Sequence, residues 1–312
     1  MTFLIPEDFT SFFDDPISDP PPSGPPYTNY PPTLAGELDP LMAGRPLQEL
    51  AAKISGLNVK EAGELVDFGA MWIDNRQKMD PLFPLPSQGE FRLNYPKYGP
   101  VKFYEVDLKR VVYEDEEIIV YDKESGRPSQ AVRHDAYNNV LSALIRVKKI
   151  FLRLPHRLDL GTSGLLLLAK TQKSAGILGK SFQAGKVLKR YIALATGEPP
   201  KWKEKVAEMA IAKCAGKLIA RERGPGLASK TELKVLATKE NKVLFLAIPH
   251  TGRTHQIRLH LSFLGYPIVG DYFYGGETFP RLMLKAAGLA FHHPLSKKPL
   301  FLGGPFSGDE TI

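Results

Sequence analysis

The sequence predicts a mixed α and β chain whose main body is built around a buried, apolar strand. Three observations predict it. Two stretches near the N-terminus have helical periodicity, Val111 to Asp122 alternates acids with Ile118, Ile119, Val120 and Tyr121, and the run Leu165 to Leu168 follows a Gly-Thr-Ser-Gly turn. No G-x-G-x-x-G or G-x-x-x-x-G-K-[ST] loop occurs in the 312 residues, so no nucleotide cofactor is expected.

Residues 1–43 carry seven acids and no Lys or Arg, with prolines packed into 16–32 at Pro20-Pro21-Pro22, Pro25-Pro26 and Pro31-Pro32. Proline removes backbone donors and favours extended, solvated chain, so 1–43 is expected to be an acidic, disordered extension. From Pro46 the pattern changes. Leu47, Leu50, Ala51 and Ile54 recur at helical spacing, and a second such stretch runs from Asn58 through Ala62, Leu65 and Val66 to Gly69. Met71-Trp72-Ile73 leads as a short strand into a turn at Asp74-Asn75, and Gly89 to Leu93 forms another strand. This module is expected to occupy 44–105, with the main domain from 106 to 312.

The formal net charge is +7, and setting aside the acidic extension leaves +14 on the rest. So basic a body favours a polyanionic partner. Residues 180–205 hold seven Lys or Arg against two acids, and Arg146, Lys148, Lys149 and Arg153 form a run free of acids that is expected to grip phosphates. One cysteine, Cys214, allows no internal disulfide or thiolate metal cluster. Neither a leader nor a stretch of roughly 20 apolar residues is present, so a soluble, cytoplasmic monomer without membrane contact is expected.

Chemistry concentrates in three segments. The first is Pro155-His156-Arg157-Leu158-Asp159-Leu160-Gly161-Thr162-Ser163-Gly164, in which a carboxylate lies beside a strong cation at a tight turn. Such an aspartate should stay ionised, as a nucleophile or base requires, although a structural ion pair would look the same. Ser163 is one residue short of a G-x-S-x-G hydrolase elbow. The second is Lys189-Arg190-Tyr191, which ends a basic stretch. The third runs from His250 to Leu261 and includes Arg253, His255 and Arg258. Its histidines, His250, His255 and His260, are five apart, which turns successive positions by about 140° around a helix and forms no metal site.

Together these segments resemble the RluA-type pseudouridine synthases. His156-Arg157-Leu158-Asp159 with Thr162-Ser163-Gly164 is similar to the family's signature, Lys189-Arg190-Tyr191 to its Lys-x-Tyr element, and Arg253-Thr254-His255-Gln256-Ile257-Arg258 to its third motif. Leu289 to Pro294 is similar to the closing element. The resemblance covers roughly 106–306. Glu124, after Lys123, stands where many members have proline, and the turn can still form there.

The resemblance implies an α+β catalytic domain on a bent, mostly antiparallel sheet with flanking helices. It implies a cofactor-free, metal-free isomerisation of uridine to pseudouridine in RNA. Asp159 would be the nucleophile, Tyr191 would stack on the target base or handle a proton, and Arg253 would pair with the aspartate. Arg157 would take the vacated place in the base stack. His156, His255, Arg258, Lys189 and Arg190 would organise the site or contact RNA. The 44–105 segment is similar to an S4-like RNA-binding module, with Asp74-Asn75 in place of its usual Asn-Gly turn, and this points to ribosomal before transfer RNA. The alternative is an RNA-binding or ribosome-assembly protein on the same fold that no longer reacts.

Overall fold

The computed structural model describes residues 33–94, 104–132 and 135–304. They fall into two compact units, one from the described parts of Pro22–Val106 and Gln130–Lys149, the other from Asp107–Ser129 and 150–304. No helix among the described residues is long and apolar enough to cross a membrane.

The smaller unit begins with strand β1 (Thr33–Glu37) and helices α1 (Leu47–Ser55) and α2 (Val59–Asp67). Asn58 caps α2. Its side chain accepts the Glu61 amide at 3.0 Å while the Glu61 carboxylate accepts the Asn58 amide, so two otherwise unpaired donors at the helix start are satisfied. Strands β2 (Met71–Ile73) and β3 (Arg76–Lys78) are joined by Asp74 and Asn75 at φ 48° and 61°, a tight hairpin turn that short polar side chains tolerate. With β4 (Glu90–Asn94) they form an antiparallel sheet in the order β1-β4-β2-β3. Leu47, Leu50, Ala51, Ala62, Val66, Met71 and Leu93 make its core.

Two expectations need correction here. Disordered chain was expected through residue 43, yet Thr33–Glu37 pairs in register with Asn94–Glu90, and Leu38 and Met42 are buried. Beyond Pro32 every amide up to Asp39 can donate to a ladder and Leu34 has a core to pack on, so the composition that opposes folding ends there. Residues 1–32 lie outside the described residues. Residues 130–149, expected in the main domain, fold with the smaller unit through the Ala136 amide to Phe68 O at 2.8 Å and the Tyr104 amide to Asn138 Oδ1 at 2.6 Å. Helix α3 (Val140–Lys148) carries Arg146, which donates to Tyr104 O at 2.8 Å rather than standing free for phosphate.

The larger unit is one sheet flanked by helices α4 (Gln172–Gln183) and α5 (Gln256–Phe263). A hairpin, β5 (Val111–Glu114) and β6 (Ile118–Lys123), leads to β7 (Ser163–Ala169), buried on both faces as its continuous apolar run predicts. After α4 come β8 (Leu188–Thr196), β9 (Glu204–Cys214), β10 (Lys217–Arg221), β11 (Leu227–Lys239) and β12 (Lys242–Pro249), and after α5 come β13 (Leu284–His292) and β14 (Pro299–Gly303). The order is β10-β9-β11-β12-β8-β13-β7-β6-β5, with β14 on β13. Among the described strands only β13 and β7 run parallel, so the expected mostly antiparallel α+β architecture is what forms.

One row across this sheet positions the site. Register partners share a face, and the row reads Lys123, Gly164, Ala286, Tyr191, Ala247, Leu233. Gly164 and Ala286 lie between Lys123 and Tyr191, and their small size leaves room above the sheet for the chain that enters β7. That chain contains Asp159.

Candidate active site

Asp159 sits on a loop that side chains and amides tie down on both sides. Ser129 Oγ donates to Leu158 O at 2.8 Å and accepts the Leu158 amide at 3.1 Å. Leu160 O accepts the Gly126 amide at 2.8 Å, and Gly161 O accepts Ser125 Oγ at 2.8 Å. Lys123 is fully buried, and its ammonium donates to Glu124 O, Arg127 O and Leu160 O at 2.8, 2.8 and 3.2 Å. A buried ammonium is costly unless its donors are satisfied, so these carbonyls hold the turn in one place. The sequence Lys123-Glu124-Ser125-Gly126 thus makes its turn and anchors the Asp159 loop.

His156 works on the inner side of the loop. Its Nε2 accepts the Leu167 amide at 3.0 Å and its ring stacks on Phe182 at 4.4 Å between centroids, so the imidazole finishes the edge of β7 where β13 has parted from it. Desolvation, with help from the Lys189 charge, pushes its pKa down to about 3, which keeps it neutral. Expected to contact RNA, it faces the interior. Arg157 is exposed and has no hydrogen bond or ion pair among the described residues.

Asp159 keeps about a third of its side chain exposed, at 34%. Its Oδ2 lies 3.9 Å from His255 Nε2. Tyr191, projecting from β8 between Ala247 and Ala286, has its hydroxyl pKa raised by burial and by the nearby Asp159 charge, so it stays a neutral phenol. Lys189, two positions earlier on the same face, is half-buried and has its pKa lowered by desolvation. Arg190 points to the opposite face and is 8% exposed, its pKa lowered by burial against the pull of the Glu232 charge, so the RNA contact expected of it is not offered on this face.

The third segment supplies the rest. Gln256 begins α5 and is buried. Its carbonyl accepts Thr251 Oγ1 at 2.6 Å and the Arg253 amide at 3.1 Å, and its amide donates to Lys230 O and Thr231 Oγ1. This fixes the loop to β11. His255, before it, has φ 56°, an uncommon conformation for a side chain of its kind. That twist sends Nε2 toward Asp159 while Nδ1 meets Tyr274 Oη at 2.7 Å. Burial and the Arg258 charge lower the His255 pKa against the pull of Asp159 and Asp271. Arg258 is buried and grips Asp271 with two bonds of 2.7 Å, its guanidinium 5.0 Å from the Tyr274 ring centre. Burial works against its charge, and Asp271 and Asp159 outweigh burial. Tyr274 is pushed up to about 12 by burial.

The ion pair expected between Arg253 and Asp159 is not formed. Arg253 is exposed, and its Nε donates to Ala228 O on β11 at 3.0 Å. The carboxylate has instead His255 beside it and the Arg258 charge behind. Tyr274, Asp271, Gln256 and the loop anchors Lys123 and Ser129 were not singled out from the sequence as site residues. Asp271 and Tyr274 carry the available signal, an acid and an aromatic in a glycine-bounded stretch from Gly270 to Gly275.

Residues 117–263 match the protein family described as RNA pseudouridylate synthase. The chain is 36% identical over 208 residues to ribosomal large subunit pseudouridine synthase C of Vibrio vulnificus, covering 62% of this chain and 65% of that one. It therefore spans just under two thirds of that relative's length. It is 35% identical to the dual-specificity RNA pseudouridine synthase RluA of Vibrio cholerae, covering 64% of this chain and 82% of the relative. Among solved structures, human RNA pseudouridylate synthase domain containing 1 superposes with a TM-score of 0.55 at 26% identity, over 65% of this chain and 86% of the other.

Proposed function

The chain belongs to the RluA-type RNA pseudouridine synthases, and from that premise we propose that it isomerises particular uridines of ribosomal RNA to pseudouridine, with Asp159 as nucleophile. The observation that carries the reading is the setting of Asp159. Its carboxylate is part-exposed on a loop anchored from both sides, with a neutral phenol, an imidazole and a buried cation around it. A structural aspartate would use its oxygens on that cation. Here Asp271 does so, and Asp159 is left available to a substrate.

In the reaction the bond from ribose to N1 breaks, the uracil turns within the pocket, and a bond forms to C5 as the C5 proton is lost and N1 gains one. No group leaves and no electrons are exchanged overall. Asp159 attacks, and Tyr191 provides a ring beside the base and a hydroxyl that remains protonated. The target base must be drawn out of RNA structure at a cost of a few kcal/mol. Arg157, exposed and unpaired among the described residues next to Asp159, fills the vacated stack. Lys189 stabilises negative charge on the same face. Arg253, held by Ala228 O at 3.0 Å, is offered to the RNA backbone beside the site and not to the carboxylate. The 44–105 module assists RNA binding.

The name of the Vibrio vulnificus relative favours large-subunit ribosomal RNA as the target class. The test is to map pseudouridines across total RNA with and without the gene, then restore it as wild type or Asp159→Asn. Sites that vanish with the gene and return only with the wild type are expected in ribosomal RNA. Asn keeps the shape and removes the charge, so RNA binding should persist. Restoration by Asp159→Asn would overturn the nucleophile, and an unchanged map would overturn the activity.

A further inference from the structure

The β9–β10 hairpin turns at Ala215 and Gly216 and forms an edge of the sheet. Between this hairpin, the start of β11 and the loop before α5 is an open groove of about 480 Å³. That size falls in the usual range of ligand sites, roughly 300–1,000 Å³. The chain from β10 to β11 can press against β9 because residue 226 is glycine. Its φ is +155°, and a Cβ there would stand 2.8 Å from Ile211 O.

The floor of the groove is apolar, formed by Ile211, Leu218 and Leu227. Leu227 is 60% exposed, uncommon for a leucine facing a concave surface. Lys213, Arg221 and Arg253 also line the groove, and no Asp or Glu does. An apolar floor with several cations and without acids suits a flat, hydrophobic group attached to anions. An unstacked nucleobase with its phosphates has that chemistry. The groove also adjoins the reacting centre. Arg253 lines it, and His255, two residues on and at most about 7 Å of chain away, faces Asp159.

We propose that this groove is a subsite for a nucleotide flanking the target uridine in the same RNA strand, its base on Leu218 and Leu227 and its phosphates facing Lys213, Arg221 and Arg253. The proposal rests on the RNA substrate argued above. It gives Arg253 work in the free protein's conformation, where it lines the groove instead of pairing with Asp159. It also assigns the hairpin a part in choosing among uridines, since an apolar floor favours sequences whose neighbouring base unstacks readily.

The test uses the full chain and a fluorescent single-stranded oligouridylate, with affinity measured over a salt series. Lys213→Ala with Arg221→Ala should weaken binding about tenfold and lower the salt slope by about 1.4, the value for two phosphate contacts on a single strand. A second arm replaces uridines on either side of the target with 4-thiouridine and irradiates the complex, and crosslinks are expected within 213–227. Unchanged affinity and salt slope in the double variant would overturn the subsite, as would flanking crosslinks confined to other segments. Leu218→Ser, with folding checked by thermal unfolding, keeps every cation, and it should reduce crosslinking while leaving the salt slope as in the wild type. Because these readouts do not need pseudouridine formation, loss of the activity in the mapping experiment would be seen separately.

Discussion

Burial separates the two acids of the site by role. Asp271 is 1% exposed and gives both oxygens to Arg258, whereas Asp159 is part-exposed, with His255 Nε2 3.9 Å from its Oδ2. Removing one partner of a buried, bidentate ion pair leaves a charge without compensation, at about 3–5 kcal/mol. Asp271→Ala should therefore destabilise the protein by that amount in urea unfolding, while Asp159→Ala should stay within about 1 kcal/mol of wild type. Equal losses would mean the two carboxylates had been assigned the wrong way round. Asp159 was singled out by the family resemblance of the segment around it, because Arg157 and the glycine-bounded turn alone suit a structural ion pair equally well. Tyr274 was not, because its contact with the site depends on the left-handed backbone of His255, which no spacing reveals. The Arg253 pairing failed for a similar reason. A motif names the residue, and the carbonyl of Ala228 decides where its side chain lies without RNA.

At the scale of elements, the site depends on the parallel join of β13 and β7 in the large sheet. Gly164 has φ +104°, and a Cβ there would stand 2.3 Å from Ala286 O, a backbone atom that cannot move without breaking the join. Gly164→Ala should thus cost about 3 kcal/mol or more and also displace the Asp159 loop. Ser129→Ala should be milder, about 1–2 kcal/mol, since it removes only the pair of bonds to Leu158. Thermal unfolding of both variants beside single-turnover rates would check the ranking, and a neutral Gly164→Ala would count against this account of the join. The α1, α2, β2 and β5 segments could be read from periodicity because each buries one face at a regular interval. The pairing of β1 and the grouping of 130–149 with the smaller unit could not, since both rest on bonds between distant parts of the chain.

For the whole molecule, the most exposed weakness is to acid. His260 lies buried on α5, and its Nε2 is 2.8 Å from Ser229 Oγ. The Ser229 hydroxyl gives its proton to Met209 O at 2.7 Å, so the imidazole must donate through Nε2 and keep Nδ1 bare. Nδ1 has no partner among the described residues, and a second proton there would be an unsatisfied charge. Desolvation accordingly pushes the His260 pKa down to about 4, and His156 is held near 3 with the Leu167 amide already on its Nε2. Both folded values lie below the ordinary 6.5. As pH falls from about 6.5 toward 4, the unfolded chain takes up protons that the folded one refuses, so stability is full above that window and falls within it. Stability should decline steadily between pH 6.5 and 4.5 in urea unfolding. His260→Gln can still donate to Ser229 and has nothing to titrate, so its decline should be visibly shallower, though it begins from a somewhat lower value at pH 7. Parallel curves for the variant and the wild type would show that His260 does not bear this share of the acid sensitivity.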